Sequence, residues 1–372
     1  MTSVENKKKI SVREIVDSSW FKAIAAAVIC AVIGIVIGYV ILLLINAEHA
    51  SKALSTILKN FMYYKKPTQR AYALGSTLVK SVPMVLCGLS VLFAYKTGLF
   101  NIGAGGQYCI GIGAALWSAL AWNLPWWLCV LIAIAASALL GALAGFLKAF
   151  FNINEVIACI MLNWISLYIV NVLLHSERVM DTSKSETFSI REVSPQSLLP
   201  SLGLGELFNN NEYVSIAIPL AIIIAVLILI VLEKTVFGYE IRSTGLNKNA
   251  AKYAGMKEKK NIILSMAISG AIAGLAASLY YLTGIQAWKT SSSVPAMGFN
   301  GIAVAFLGGL HPIGVIFAGF FIQHITIGGS LIDMRFYNPQ IADLIASIII
   351  YACAFVLFIK HVLSKLAQKK GE

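Results

Sequence analysis

Apolar residues along this chain are gathered into long runs that short polar segments separate. Most runs are close to 20 residues long, which is the length an α-helix needs to cross about 30 Å of hydrocarbon. The pattern therefore predicts an all-α fold, a polytopic transmembrane helical bundle with about ten membrane-crossing segments. The predicted spans are 21–46, 73–95, 101–122, 126–150, 155–174, 213–232, 262–284, 299–310, 313–332 and 341–358.

The eighth run, 299–310, decides the count of crossings. As a helix it would be only about 18 Å long, and His311 and Pro312 follow it directly. Counting it as a crossing gives ten spans, and merging it with the next run gives nine. Both termini are predicted to lie on one side, which requires an even number, so we predict ten. The sequence leaves open whether this run crosses or re-enters.

Composition excludes a water-soluble domain. Apolar residues make up 58% of the 372 positions and charged residues only 12%, whereas soluble domains carry about 25% charged residues. So few charges could not cover the surface of a water-soluble fold with this much apolar material. The chain is therefore expected to be an integral membrane protein in contact with lipid.

Basic residues lie in the short segments between the apolar runs. The net charge is +12, and lysine and arginine close to membrane spans mark cytoplasmic loops. Membrane orientation, and not a nucleic-acid partner, accounts for this charge. We predict cytoplasmic tails at 1–20 and 363–372, a basic cytoplasmic loop at 234–260 and an extracytoplasmic loop at 176–212, all belonging to a transmembrane domain at 21–362.

Successive loops of a multi-pass protein alternate between the two sides of the membrane. The charge of segment 47–72 does not fit this alternation. The segment is mixed and amphipathic, and its basic residues alone would make it cytoplasmic. The alternation set by the later loops places it outside, and we follow the alternation. The basic residues of the segment are Lys52, Lys59, Lys65, Lys66 and Arg70.

No catalytic constellation is present among the familiar motifs. The chain has no GxxxxGK[ST] phosphate loop, no HExxH and no GxSxG. The five histidines are scattered, and the six cysteines lie in or beside apolar runs without CxxC spacing. We therefore predict no catalytic residue, no metal site and no cofactor bound by this chain. His324, inside an apolar run, is either a relay or ligand or a satisfied interior histidine.

Small residues recur every four positions on two of the predicted spans. Such a stripe lets helix backbones approach closely, and in lipid this packing replaces the missing hydrophobic drive. The fourth and seventh spans are therefore predicted to pack tightly against neighbouring helices. The stripes are Ser137, Gly141 and Gly145, and Gly270, Gly274 and Ser278.

Polar residues form a stripe on the fifth span, where polar groups in hydrocarbon are costly. Glu155, Cys159, Asn163 and Ser166 lie on one helix face. They either line a substrate path, with amides and aromatics meeting a sugar or base, or hydrogen-bond neighbouring helices. The candidate substrate-path residues are Asn101, Gln107, Asn163, Trp164, Ser166 and Asn300.

Two similar segments suggest an inverted internal repeat. GLFNIG at 98–103 opens the third span and GFNG at 298–301 opens the eighth. In the predicted topology one starts at the inner side and the other at the outer side. Inverted repeats with glycine-rich, interrupted helices are typical of transporters. Alternatively, asparagine with a glycine close behind is simply a good helix start.

The basic loop contains a short predicted helix. Asn247 is suited to the N-cap, 248–254 to two helical turns and Gly255 to the residue after the C-cap. So short a helix is marginal by itself in water. Its alanines suit docking into a groove of another protein, which indicates a contact for a soluble partner.

Taken together, these residues resemble the permease family of ABC importers for simple sugars and nucleosides. The loop resembles the family's coupling segment. TGLFNIGAGGQ at 97–107, NEVIACIMLN at 154–163 and FNGIAVAFLGGLHPIG at 299–314 are similar to motifs of its nucleoside branch. The matching coupling residues are Gly238, Ile241, Arg242, Gly245, Asn247, Ala250, Ala251, Ala254, Gly255 and Met256. Gly105 departs from the pattern, because that branch usually has glutamate there.

The resemblance implies a transport mechanism and a set of partners. The chain would be a multi-pass permease in the bacterial plasma membrane, without enzymatic activity of its own. A second permease, identical or homologous, would complete the path, and separate ATPase subunits would hold ATP and Mg. An extracytoplasmic binding protein would deliver a nucleoside.

Two alternatives stay open at this point. The substrate could be a monosaccharide such as ribose or galactose. The chain could also be a stand-alone ion-coupled carrier or channel, which usually needs an acid or histidine relay near the membrane midplane. Asp343 and His324 are the nearest candidates for such a relay, and neither has an obvious partner in the sequence.

Overall fold

The structure is a computed structural model that describes residues 19–338, 340–353, 355, 358–359 and 361–362. The predicted tails lie outside these residues, apart from positions 19 and 20. Within the described part the chain is helical, with a single two-stranded hairpin. The predicted all-α class is confirmed.

Fourteen α-helices are assigned in the described residues. They are α1 (Ser19–Ile45), α2 (Ala50–Lys59), α3 (Pro67–Lys96), α4 (Ala104–Leu120), α5 (Trp126–Phe151), α6 (Glu155–Leu174), α7 (Ile190–Val193), α8 (Ala217–Lys234), α9 (Val236–Leu246), α10 (Lys248–Tyr253), α11 (Glu258–Tyr281), α12 (Ala296–Leu307), α13 (Pro312–Gly329) and α14 (Gln340–Cys353). The hairpin strands are β1 (Met180–Asp181) and β2 (Glu186–Thr187), and 3₁₀ turns occupy Asn60–Tyr63, Pro195–Ser197 and Glu206–Phe208.

Seven of the described helices are long and apolar enough to cross a membrane: α1, α3, α5, α6, α8, α11 and α13. A polytopic helical bundle is therefore confirmed, and the count of ten crossings stays a prediction. The other predicted spans correspond to α4, α12 and α14, which are shorter helices. Irregular segments precede α4 and α12, so each covers only part of the distance that its predicted span would cross.

Helix α3 lies at the centre of the bundle and is buried along most of its length. Pro83 lies inside it without ending the helix. Glycines on neighbouring helices allow close contact with α3: a Cβ on Gly301 would lie 2.7 Å from the Cys87 Cβ, and one on Gly319 2.6 Å from the Val85 side chain. The core is thus built by α12 and α13 packing directly on α3.

Contacts between loops show which helix ends lie together. The side-chain amide of Asn211 donates to the Tyr72 carbonyl at 2.9 Å, so 47–72 and the loop 176–212 share one end of the bundle. At the opposite end, a Cβ on Gly98 would lie 3.2 Å from the Gly245 carbonyl oxygen. Segment 47–72 therefore lies opposite the basic loop, as the alternation predicts and against the prediction from its charge.

The two small-residue stripes face each other across α5 and α11. A Cβ on Gly141 would collide with the Met266 carbonyl oxygen, and one on Gly270 with the carbonyl oxygen of Ser137. Gly145 is similarly close to Ile263. The predicted backbone-to-backbone packing is confirmed, and the order of the contacts shows that the two helices run antiparallel.

Candidate substrate path and coupling segment

Two of the predicted substrate-path residues, Asn101 and Gln107, bind each other inside the protein. Both are buried. The Asn101 amide donates to Gln107 Oε1 at 2.8 Å and to the Ser269 hydroxyl at 2.7 Å. Ser269 in turn donates to the Ser90 carbonyl at 2.7 Å. These bonds join α3, the start of α4 and α11 through one polar cluster.

Asn163 of α6 satisfies backbone groups at the start of α4. Its Oδ1 accepts from the Gly106 N–H at 2.8 Å, and its Nδ2 donates to the Ile102 carbonyl at 3.1 Å. The first N–H groups of a helix have no partner within the helix, and Gly103 supplies no side-chain cap for α4. The neighbouring helix therefore supplies the missing acceptor.

The polar stripe on α6 matches the hydrogen-bonding alternative. Ser166 is buried and donates to the Leu162 carbonyl at 2.6 Å. Cys159 lies 3.8 Å from the Asn101 oxygen, and Glu155 pairs with Lys148 at 2.8 Å. Each member of the stripe has a protein partner, although Ser166 bonds within its own helix; a role of the stripe in the substrate path stays a prediction.

We predict that Asn101→Ala destabilises the protein, because it leaves the buried side-chain amide of Gln107 without its partner and removes one of the hydrogen bonds to Ser269. An unsatisfied buried polar group costs about 1–3 kcal/mol. The melting temperature in detergent should fall by several degrees, whereas Asn300→Ala should leave it nearly unchanged. Equal melting temperatures for the two variants would contradict this assignment.

The other two candidates, Trp164 and Asn300, are placed differently. Trp164 is 43% exposed and Tyr168 is 62% exposed, and their rings stack with centroids 6.3 Å apart. Trp164 lies about 14 Å along the helix axis from the first residue of α6, close to its middle. Asn300 is half-buried on α12.

A non-helical segment, 289–295, connects the region near the end of α6 to the start of α12. Ser291 exchanges hydrogen bonds with Asn171, near the end of α6. Further along, Val294 would lie 3.0 Å from a Cβ on Gly105, and Gly298 abuts the Gly105 backbone. The segment thus reaches the depth of the first turn of α4, while Ser292 and Ser293 stay exposed.

The two GLFNIG-like segments meet in the structure. Segment 98–103 leads into α4, 298–301 lies in the first turns of α12, and the contact between Gly105 and Gly298 joins the two helix starts. A side chain at position 105 would press on Val294 and Phe299, at 3.0 and 3.3 Å. Glycine at 105 therefore allows this close approach. An internal duplication stays a prediction.

The short helix of the basic loop forms as predicted, one residue shorter. Asn247 Oδ1 accepts from the Ala250 N–H at 3.0 Å, which is an N-cap. Gly255 has φ +81°, and its N–H donates to the Lys252 carbonyl at 3.0 Å. The Met256 N–H reaches the Ala251 carbonyl at 3.0 Å, so the end is a Schellman motif.

The predicted coupling residues divide into anchors and an exposed tip. Gly238 abuts the end of α8, and Gly245 abuts the Lys96 carbonyl at the end of α3. Arg242 is half-buried, and its Nε has no hydrogen-bond partner. Ile241 and Ala251 are buried and Met256 is half-buried, whereas Asn247, Ala250, Ala254 and Gly255 are exposed.

Two apolar residues of this segment were not among the functional residues predicted from the sequence. Tyr253 is 93% exposed, and Leu246 is also almost fully exposed. Tyr253 is the last residue of the tip helix α10 and Leu246 the last residue of α9 before it, at the end of the bundle opposite 176–212. Large apolar side chains in an otherwise polar loop were the available signal, because exposed apolar groups clustered on a surface mark interaction sites.

The helical bundle agrees with the family comparison. Residues 73–354 match the family model described as branched-chain amino acid transport system / permease component. The chain belongs to this permease family.

Curated relatives cover most of the permease. It is 36% identical over 305 residues to the guanosine ABC transporter permease protein NupP of Bacillus subtilis (strain 168), covering 81% of this chain and 86% of the relative. It is 33% identical to the nucleoside ABC transporter permease protein NupB of Lactococcus lactis subsp. cremoris (strain MG1363), with the same coverage. It is 30% identical to the glucose ABC transporter permease protein TsgB13 of Haloferax volcanii, with 75% of each chain covered. No solved structure matches the permease.

The two relay candidates, His324 and Asp343, lie on different helices, and no hydrogen bond or ion pair joins them among the described residues. His324 Nε2 lies 3.0 Å from the Leu58 carbonyl and Nδ1 3.2 Å from the Asn60 amide, which makes it a satisfied interior histidine. Asp343 is exposed on α14. A hydrogen bond from Arg335 lowers the pKa of Asp333 to about 2. No group of three potential metal ligands lies together in the described part.

Proposed function

We propose that this permease is the membrane-spanning subunit of an ABC importer that carries nucleosides across the plasma membrane of a bacterium. Separate ATPase subunits would bind ATP and Mg and drive alternating access. A second permease, identical or homologous, and an extracytoplasmic binding protein would complete the importer. The nucleoside relatives at 33–36% identity support the substrate class. The glucose relative supports simple sugars as the second candidate.

The observation that carries this proposal is the protruding helix α10. Its tip is exposed, and its anchors press on the ends of α3 and α8. A movement of the tip by an ATPase would therefore be transmitted directly to two long helices. Both termini would be cytoplasmic in this arrangement, on the same side as α10.

The exposed segment 289–295 is the basis on which we assign the substrate path. Irregular backbone at membrane depth is tolerated only where protein buries it or where it lines a water-filled cavity. Ser292 and Ser293 are exposed, so we assign this face to a path shared with the second permease. We include Trp164 and Asn300 in this proposed path, and the buried amides Asn101 and Asn163 would hold the helices that form its wall.

We predict that Trp164→Ala lowers nucleoside uptake by about tenfold without lowering the melting temperature. Stacking of a base on an aromatic side chain is worth about 1–3 kcal/mol, and the exposed ring makes little contribution to the core. Ile165→Ala is the matched control, because Ile165 is equally exposed at the same depth. Equal uptake losses in both variants would contradict a specific role for Trp164.

The decisive experiment measures uptake of labelled nucleosides and labelled sugars in cells with and without this chain. Nucleoside uptake that depends on the chain supports the proposal, and sugar uptake alone would select the second candidate. Copurification identifies the energy source: an associated ATPase is expected. Uptake that persists in its absence would select a stand-alone carrier.

A further inference from the structure

A basic cavity lies where α5 ends and α11 begins, at the end of the bundle that carries α10. Its volume is about 380 Å³, and nearly all of its lining surface is apolar. The ammonium group of Lys259 lies 4.7 Å from the centre of the Phe150 ring. The lining residues are Phe150, Lys257, Lys259, Lys260, Ile263 and Leu264.

The positive charge of this cavity has no matching acid among its lining residues. The three lysines are exposed, and none of them forms an ion pair in the described part. The nearest acid along α6, Glu155, is already paired with Lys148 at 2.8 Å. Glu258, on the same turn as the lysines, does not line the cavity. An anion would therefore meet net positive charge here.

An apolar track on α5 leads away from the cavity toward the middle of the helix. Its exposed side chains follow the three- and four-residue spacing of one helix face. On the other side, Ile263 and Leu264 of α11 are half-buried. The glycine stripe of α5 faces α11, so the exposed track lies on the opposite, outward face of α5. The exposed track consists of Leu139, Leu143, Phe146 and Phe150.

We propose that this cavity and the adjoining apolar track of α5 bind one anionic phospholipid. The phosphate group contacts Lys257, Lys259 and Lys260, and an acyl chain lies along the α5 track toward Leu139. Basic pockets between membrane helices on the cytoplasmic side suit anionic headgroups. The charge of the lysines favours an anionic group, and Phe150 belongs to both the cavity lining and the exposed track, so one phospholipid can cover both.

The position of the site gives the lipid a role in the coupling segment. Lys257 follows Gly255 by two residues, and α10 connects to α11 through this turn. A phospholipid held by the three lysines would fix the start of α11 at the membrane surface. The tip helix could then move relative to a fixed point, while α11 keeps its depth in the bilayer.

The test uses the full-length protein in nanodiscs of phosphatidylglycerol and phosphatidylcholine, with retained lipid measured by native mass spectrometry. We expect preferential retention of one phosphatidylglycerol. The triple variant Lys257→Gln, Lys259→Gln, Lys260→Gln should retain about 100-fold less, as expected for the loss of about 1 kcal/mol per lysine at an anionic surface. Phe150→Ala should also lower retention, and Phe151→Ala, a neighbouring exposed residue outside the cavity, should not.

The matched control removes the same charge at the opposite end of the bundle. Lys59→Gln, Lys65→Gln, Lys66→Gln changes three exposed lysines and should leave retention unchanged. Equal retention of the two lipids by the unmodified protein would overturn the proposal, as would equal losses in the two triple variants. A loss of ATPase copurification with lipid retention intact would also overturn it, because the lysines would then serve a protein.

Discussion

Replacing Gly255 by proline is expected to abolish uptake while the protein still inserts into the membrane. The φ of Gly255 is +81°, whereas proline fixes φ near −65° and has no N–H. The change therefore breaks the bond to the Lys252 carbonyl and the reversal that ends α10. With a cost of about 3 kcal/mol on a helix of six residues, α10 should unwind. Uptake should fall at least about 100-fold.

The matched control for this prediction is Gly203→Pro. Gly203 has φ +80°, and, as at Gly255, nothing lies within 4 Å of a Cβ placed on it. It lies in the loop 176–212, at the opposite end of the bundle. Membrane insertion is scored by the amount of protein extracted from membranes. Normal uptake by Gly255→Pro, or an equal loss in Gly203→Pro, would remove the coupling role from α10.

Local features of the sequence predicted α10 correctly because its caps are formed by residues close in the chain. Asn247 bonds three residues ahead, and Gly255 bonds three residues back. The stripes on α5 and α11 were predicted for a similar reason, since the helical period alone places Gly141 and Gly145 on one face. Such predictions need no knowledge of the tertiary fold.

The role of the buried amides could not be predicted in this way. Asn163 and Trp164 are adjacent in sequence, yet one is buried against α4 and the other is exposed. The stripe on α6 identified the face of the helix that points inward. Only the position of α4 shows that the Gly106 N–H, which has no acceptor within α4, donates to Asn163. Inward-facing polar groups could equally meet water or a neighbouring helix, and the sequence leaves both open.

The end of the bundle at which segment 47–72 lies also required the tertiary structure. Its lysines suggested the cytoplasmic side, but Asn211 binds Tyr72 and so joins it to the loop 176–212. Conversely, the contact of Gly245 with Gly98 joins the predicted coupling segment to the non-helical stretch that leads from Gly98 to Asn101. If α10 moves as proposed, this contact and the chain from Gly98 to Asn101 would connect its movement to the buried amide cluster.

The second large effect is expected for Gly141→Leu on α5. A Cβ there would collide with the Met266 carbonyl oxygen and would come within 3.3 Å of the Gly270 Cα. Backbone atoms of a packed helix cannot move aside as a flexible side chain can, so α5 and α11 must separate. Overpacking of this kind costs about 1–3 kcal/mol or more. We expect the yield of folded protein to fall severalfold and the melting temperature to drop with it.

Ala135→Leu provides the control, because Ala135 is a small residue of α5 that is exposed. It adds the same kind of side chain to the same helix and should leave folded yield and melting temperature unchanged. The comparison separates packing from hydrophobicity, since both variants make the helix more apolar and only one meets a backbone. A fall for Ala135→Leu as large as for Gly141→Leu would show that the α5–α11 contact is not what limits stability. A selective fall for Gly141→Leu would mean that backbone contact through the glycine stripes holds these two helices together.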